Sequence, residues 1–109
     1  MATFFRNKVI KDVGTVPIEV LTTTAAQRAT IIGLSLANLT SSNVLASVLV
    51  ADDTSVEGYY IKDVVISPNS SLKVVNGGEK LILAPTNTLS IKSSQNDSID
   101  AIVSYVEIV

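Results

Sequence analysis

Two adjacent glycines followed closely by a lysine, in the NGGEK stretch at residues 76–80, are the first candidate for chemistry in this chain. A Walker-type phosphate loop needs two glycines five positions apart, then Lys-Ser or Lys-Thr, between a strand and a helix. Here the glycines are adjacent, Glu79 would repel an anion, and the following KLILAP stretch reads as another strand. Asn76-Gly77 suits the positive φ values of a tight turn. The stretch therefore predicts a β-hairpin with Gly78 at a bulge position, rather than a phosphate site.

Acidic side chains form the second candidate. Asp52, Asp53 and Glu57 fall within six residues, and clustered carboxylates are typical calcium ligands. The stretch lacks the alternating Asp/Asn pattern and the sixth-position glycine of a calcium loop, so a solvated turn is the preferred interpretation. Asp97 and Asp100 lie three residues apart, which on a strand points them to opposite faces. Neither group predicts a metal site or a carboxylate dyad.

Composition removes most other chemistry. The chain has no Cys and no His, so thiolate nucleophiles, disulfides, the usual zinc sites and Ser-His-Asp arrangements are excluded. We therefore predict a non-enzymatic protein without a cofactor. Charged residues make up only 17% of the chain, with a net charge of −2 and no basic patch, which argues against a nucleic-acid partner. Apolar runs are far shorter than the roughly 20 residues of a membrane span, so no membrane partner is expected.

The dominant pattern along the chain is a two-residue alternation of apolar and polar side chains, interrupted by clusters of turn formers. Short strands at regular spacing predict an all-β fold, a single antiparallel β-sandwich of jelly-roll type occupying residues 1–109 as one domain. Eight strands are expected, and a last one makes nine. Their predicted bounds are 3–10, 16–23, 28–40, 44–51, 58–66, 71–76, 79–84, 88–94 and 98–108.

The alternation also predicts which side chains share a face. In the ATIIGLSLANL stretch it places Ile32, Leu34 and Leu36 on one side of the strand. On the opposite side it places Ile31, Ser35 and Ala37.

The last strand is apolar on both sides, which indicates either a central strand or one covered by a neighbouring subunit. The adjacent aromatic pairs should each send one ring into the core and one outward, with core packing the default and the outward ring a candidate anchor. The predicted interface residues are Phe4, Phe5, Tyr59, Tyr60, Ile102, Val106 and Ile108.

The order of these blocks resembles small virion proteins of tailed bacteriophages, of the decoration or neck-collar type. The resemblance rests on FFRNKVIKDVGTVPIEVLT, ATIIGLSLANLTSSNVLASVLV, YYIKDVVISPNSSLKVVNGGEKLILAPTNTLSI and SIDAIVSYVEI, and it covers almost the whole chain. It implies a structural component that binds the capsid or neck surface, with phage capsid, neck or tail proteins as partners. It also implies a homo-oligomer, with a trimer favoured, located in the virion after assembly in the host bacterial cytoplasm. A tail or baseplate component and a carbohydrate-binding β-sandwich module are the alternatives.

Overall fold

The computed structural model describes residues 2–76 and 78–109, and within them every regular element is a strand. No helix in this part of the chain is long and apolar enough to cross a membrane. The predicted strands are all present, with bounds that differ by a few residues. In chain order they are β1 (Thr3–Val13), β2 (Ile18–Thr22), β3 (Arg28–Asn38), β4 (Val44–Ala51), β5 (Glu57–Ile66), β6 (Ser71–Val75), β7 (Leu81–Leu83), β8 (Thr88–Ser93) and β9 (Ile99–Ile108).

The strands form two antiparallel sheets that pack face to face, which confirms the β-sandwich. The first sheet has the order β1-β9-β3-β6, with β7 also paired to β3, and the second has the order β2-β8-β4-β5. Among consecutive strands, only β4 and β5 are hydrogen-bonded neighbours. Apart from the β6–β7 connection, which stays in the first sheet, every other connection crosses from one sheet to the other. With β6 and β7 counted as one strand, this is the eight-stranded order of a jelly roll.

The predicted hairpin between β6 and β7 is wrong. β6 pairs with the Leu34–Ala37 part of β3, and β7 pairs with the Ala29–Ile31 part, on the same edge and in the same direction. The two segments are therefore one edge strand that is interrupted between Val75 and Leu81. Gly77, the second residue of the predicted turn, lies outside the described residues. Alternation and turn residues could not distinguish a hairpin from an interrupted edge strand, because each consists of two short strands separated by turn residues.

The core consists of the facing sides of the two sheets, and it shows why β3 departs from simple alternation. Ile31, Leu34 and Leu36 are buried, whereas Ile32 is 37% exposed. The predicted grouping of Ile32 with the two leucines is therefore wrong. Between Ile31 and Gly33 the pairing of β3 with β9 shifts by one residue. Such a bulge changes the face of the residues on one side of it.

β9 is central in the first sheet, between β1 and β3, and pairs with both over nearly its whole length. Its alternate residues Ile99, Ala101, Val103 and Tyr105 are buried in the core. The backbone pairing continues past the strands, since residues 2 and 109 exchange two hydrogen bonds of 2.9 Å. The two-sided apolar pattern of this strand thus belongs to a central strand, and its second side lies on the outer face of the sheet.

Candidate protein interface

The outer face of the first sheet carries an apolar surface that nothing in the described chain covers. Its members come from four strands and are exposed to different degrees: Phe5 is 80% exposed, Ile82 67%, Val9 58% and Ile102 49%. We call this surface the apolar face, and its residues are Phe5, Val9, Ile32, Ile82, Ile102 and Val106.

Strand register places these side chains next to one another. Phe5 lies opposite Val106, and Val9 lies opposite Ile102, in the β1–β9 pair. Thr30 of β3 is the cross-strand partner of both Val106 and Ile82. Partners directly opposite in an antiparallel sheet have Cβ atoms about 5 Å apart on the same face. The six residues therefore form one surface rather than scattered exposed groups.

A shallow hollow lies in the middle of this surface because two of its residues are small. Gly33 and Ser104 are cross-strand partners, and a Cβ atom built on Gly33 would still lie 3.8 Å from the Ser104 Cβ. The hollow consists of two adjoining depressions that share Ile32 and Ser104: Phe5 and Asn7 line the first, and Gly33 lines the second. The apolar face thus has both a protruding aromatic ring and a depression beside it.

Among the described residues, the charged ones lie mostly at the margins of the face, although Arg6 and Lys73 each also line one of its two depressions. At one end Lys11 and Asp100 form an ion pair, with 3.6 Å between Nζ and Oδ2. Arg28 lies at the other end, opposite Ile108, and Lys73 lies on the outermost strand, opposite Ser35. An apolar centre with a polar margin is the usual anatomy of a protein–protein interface.

The predicted interface residues do not all lie on this face. Phe5, Ile102 and Val106 do, and half-buried Ile108 lies at its end beside Arg28. Phe4 projects from the opposite side of β1, as the alternation requires. It is 42% exposed, and the Arg6 guanidinium lies 4.8 Å from its ring centroid. The core packing expected for one ring of the Phe4-Phe5 pair is therefore wrong, because both rings are exposed on the edge strand.

The tyrosine pair lies on the second sheet, away from the apolar face. Tyr59 is 45% exposed, with the ammonium groups of Lys62 and Lys92 at 5.4 and 5.6 Å from its ring centroid. Tyr60 packs against the core and donates a hydrogen bond of 2.8 Å to Glu79. This bond, with smaller contributions from burial and from the charge of Glu79, raises the pKa of Tyr60. In this pair, as predicted, one ring packs against the core and the other is exposed.

The acidic stretch after β4 forms a turn around Asp52. Its Oδ1 atom accepts hydrogen bonds from Thr54 N at 2.9 Å, Thr54 Oγ1 at 2.7 Å and Val56 N at 3.1 Å. The Thr54 hydroxyl and then the two backbone donors lower the pKa of the Asp52 carboxyl. A carboxylate that stabilises its own turn agrees with the turn interpretation of this segment.

Three members of the apolar face were missed by sequence reasoning: Val9, Ile32 and Ile82. A signal existed for Val9, since alternation from Phe5 through Asn7 leads to it. Ile32 was hidden by the bulge in β3. Ile82 was hidden because the LILAP stretch is apolar throughout and does not show which side faces the core.

Comparison with known proteins supports the fold. No protein-family model matches the chain, and no curated protein matches it. Among solved structures, a chain of the Bacillus endospore appendages, a novel family of disulfide-linked pili, is similar with a TM-score of 0.57 at 8% identity, over 98% of this chain and 88% of that one.

Two viral structures are also similar. The T13 viral particle of infectious bursal disease virus contains a chain with a TM-score of 0.54 at 11% identity, over 94% of this chain and 30% of that one. A chain of the Gx strain of that virus gives 0.50 at 8% identity, over 95% and 32%. This chain therefore spans about a third of the viral chains. At such identities these likenesses establish a shared fold.

Proposed function

We propose that this protein is a non-enzymatic structural component of a tailed-phage virion, a single β-sandwich domain that binds the capsid or neck surface as a decoration, cement or collar protein. The observation that carries the proposal is the uncovered apolar face. Contiguous exposed apolar surface on a soluble protein marks an interaction site. Protein–protein contact would be its only mechanism, because each copy adds interface area that must be lost before the shell or neck opens.

The similar structures support an assembly role. One comes from pili and the others from viral particles, which are assemblies of many protein subunits. The linkage must differ from that of the pili, since this chain has no Cys and cannot form disulfides. Its assemblies would therefore be held without disulfides.

The expected partners are phage capsid, neck or tail proteins and further copies of this chain, in the virion. The resemblance to phage virion proteins favours a trimer among homo-oligomers. The carbohydrate-binding alternative has little support, because Tyr60 of the candidate region is turned toward the core and Asp52 is engaged in its own turn.

The test is to purify the phage particles and identify their proteins by mass spectrometry, then to locate this protein on them with gold-labelled antibody. We expect stoichiometric amounts on the capsid or neck. Label on the tail or baseplate would replace the decoration role with the alternative location. Absence from purified particles would refute the proposal.

A further inference from the structure

We propose that the apolar face is covered by a second copy of this chain, in a two-fold contact in which each Phe5 enters the hollow over Gly33 and Ser104 of the other copy. This inference rests on the proposed function for its biological setting, and it replaces the trimer that the resemblance favours with a two-fold pair. A two-fold contact uses the same surface on both copies, so that surface must be self-complementary. The apolar face meets that requirement, since the protruding ring and the hollow lie side by side.

The charge distribution favours a second copy over an oppositely charged partner. The six residues of the face are uncharged, and the Lys11–Asp100 pair neutralises one end. Two such faces can approach without like-charge repulsion at their centre. A strongly charged partner would find complementary charge only at the margin, from Arg28 and Lys73, and none among the six residues of the face itself.

The area of the apolar face is also large enough for a specific contact between two copies. Four strand positions at about 4.8 Å and ten residues at about 3.3 Å give roughly 19 by 33 Å, or about 630 Å² in plan. Two copies would bury about 1,250 Å², above the approximately 1,000 Å² expected of a specific interface and at the lower end of the standard range. A stable but concentration-dependent pair is expected.

Edge-to-edge pairing of strands from two copies is a poor alternative to contact through the apolar face, because the sheet edges oppose it. β1 carries exposed Arg6, Lys8 and Lys11, and charged side chains on an edge strand oppose edge-to-edge pairing. The opposite edge of the same sheet is interrupted between β6 and β7.

The second sheet is protected in similar ways. β2 has only five residues and follows Pro17. β5 is bent by register shifts and by Asp63 at a φ of 50°. With all four edges short, charged or irregular, edge-to-edge pairing of two copies is disfavoured, and contact through a sheet face is the alternative.

The experiment measures the mass of the full chain by sedimentation equilibrium over a wide concentration range. We expect a monomer–dimer equilibrium, and Phe5→Ser and Ile102→Asp should each raise the dissociation constant by about 30-fold or more, as for a central interface residue. Ser104→Phe, which fills the hollow, should do the same. Val65→Asp is the matched control, because Val65 is 55% exposed on the other sheet. It should leave the equilibrium unchanged.

Thermal unfolding of each variant separates loss of association from loss of folding. Phe5→Ser keeps the test valid if Ile102→Asp fails to fold, because Phe5 is the most exposed residue of the face and its replacement should not disturb folding. A wild-type monomer at all concentrations would overturn the inference. So would a dimer that survives both face substitutions, or a trimer, which a two-fold contact cannot make. None of these results bears on whether the protein is present in purified virions, so the proposed function stands or falls separately.

Discussion

Asn38 is a buried polar residue whose replacement by aspartate tests what holds one end of the sandwich together. Its Nδ2 atom lies 2.8, 3.0 and 3.1 Å from the carbonyl oxygens of Ser42, Ile66 and Ser67. Its Oδ1 atom accepts hydrogen bonds of 2.8 Å from both N and Oγ1 of Thr40. One side chain thus joins the loop after β3 to the loop after β5.

The Asn38→Asp variant keeps the shape of the side chain and changes a donor into an acceptor. At neutral pH a carboxylate oxygen would face three carbonyl oxygens, while Oδ1 would keep its two donors. Losing two buried donor bonds costs about 1–3 kcal/mol each, and a buried charge without a partner costs about 3–5 kcal/mol when it is created in place. Allowing for overlap between these contributions, we expect a loss of about 4–6 kcal/mol, a large part of a typical stability of about 5–15 kcal/mol.

The pH dependence gives this prediction its sharpest check. Burial and the facing carbonyls should raise the pKa of the new carboxyl above its unfolded value of about 3.9. Protonation then restores one donor, so the recovered stability is fully present below about pH 3.9 and is lost as the pH rises through the folded-state pKa.

Urea unfolding of wild type and variant at pH 3.5 and pH 7 measures the effect as a difference between the two proteins. We expect the difference in unfolding free energy between wild type and variant to be about 2–3 kcal/mol smaller at pH 3.5 than at pH 7. Asn69→Asp, at an exposed position in the neighbouring loop, should change stability by less than about 0.5 kcal/mol. A loss below about 1 kcal/mol at pH 7, or a difference independent of pH, would show that these hydrogen bonds do not hold the loops.

Two further predictions concern single turns. A Cβ atom added at Gly14 would lie 2.6 Å from Asn96 Oδ1, so Gly14→Ala should lower stability by about 1–3 kcal/mol in thermal unfolding. Gly58→Ala is the control, because a Cβ atom there would have nothing within 4 Å, and it should not show this steric loss. The carboxyl of Asp52 has a lowered pKa, so its turn is stabilised above pH 3.8 and loses that contribution as the pH falls through the folded-state pKa. In a ¹³C NMR titration, Thr54→Val should move this pKa back up, and an unchanged value would contradict the assignment.

The sequence predicted the strands well and their partners poorly, for a physical reason. Alternation and turn residues are local, so nine strands in a sandwich could be inferred without knowing which strand pairs with which. Pairing is a long-range property. The same NGGEK break therefore fitted a hairpin and an interrupted edge strand equally well, and only the register with β3 decides. The outward apolar residues of β9 could be predicted, because the strand is apolar on both sides and only one side can face the core. Whether they form an interface stays a prediction.

The bulge in β3 is where local reasoning failed most clearly, and it yields a direct test. Simple alternation places Ile32 with Leu34 and Leu36, whereas the structure buries Ile31 completely and leaves Ile32 37% exposed. Ile31→Ala should therefore cost about 2–5 kcal/mol, and Ile32→Ala less than about 1 kcal/mol. Both should be measured by urea unfolding at low protein concentration, where self-association contributes least to the measured stability. A larger loss for Ile32→Ala would mean that β3 runs without the register shift, and Ile32 would then leave the apolar face for the core.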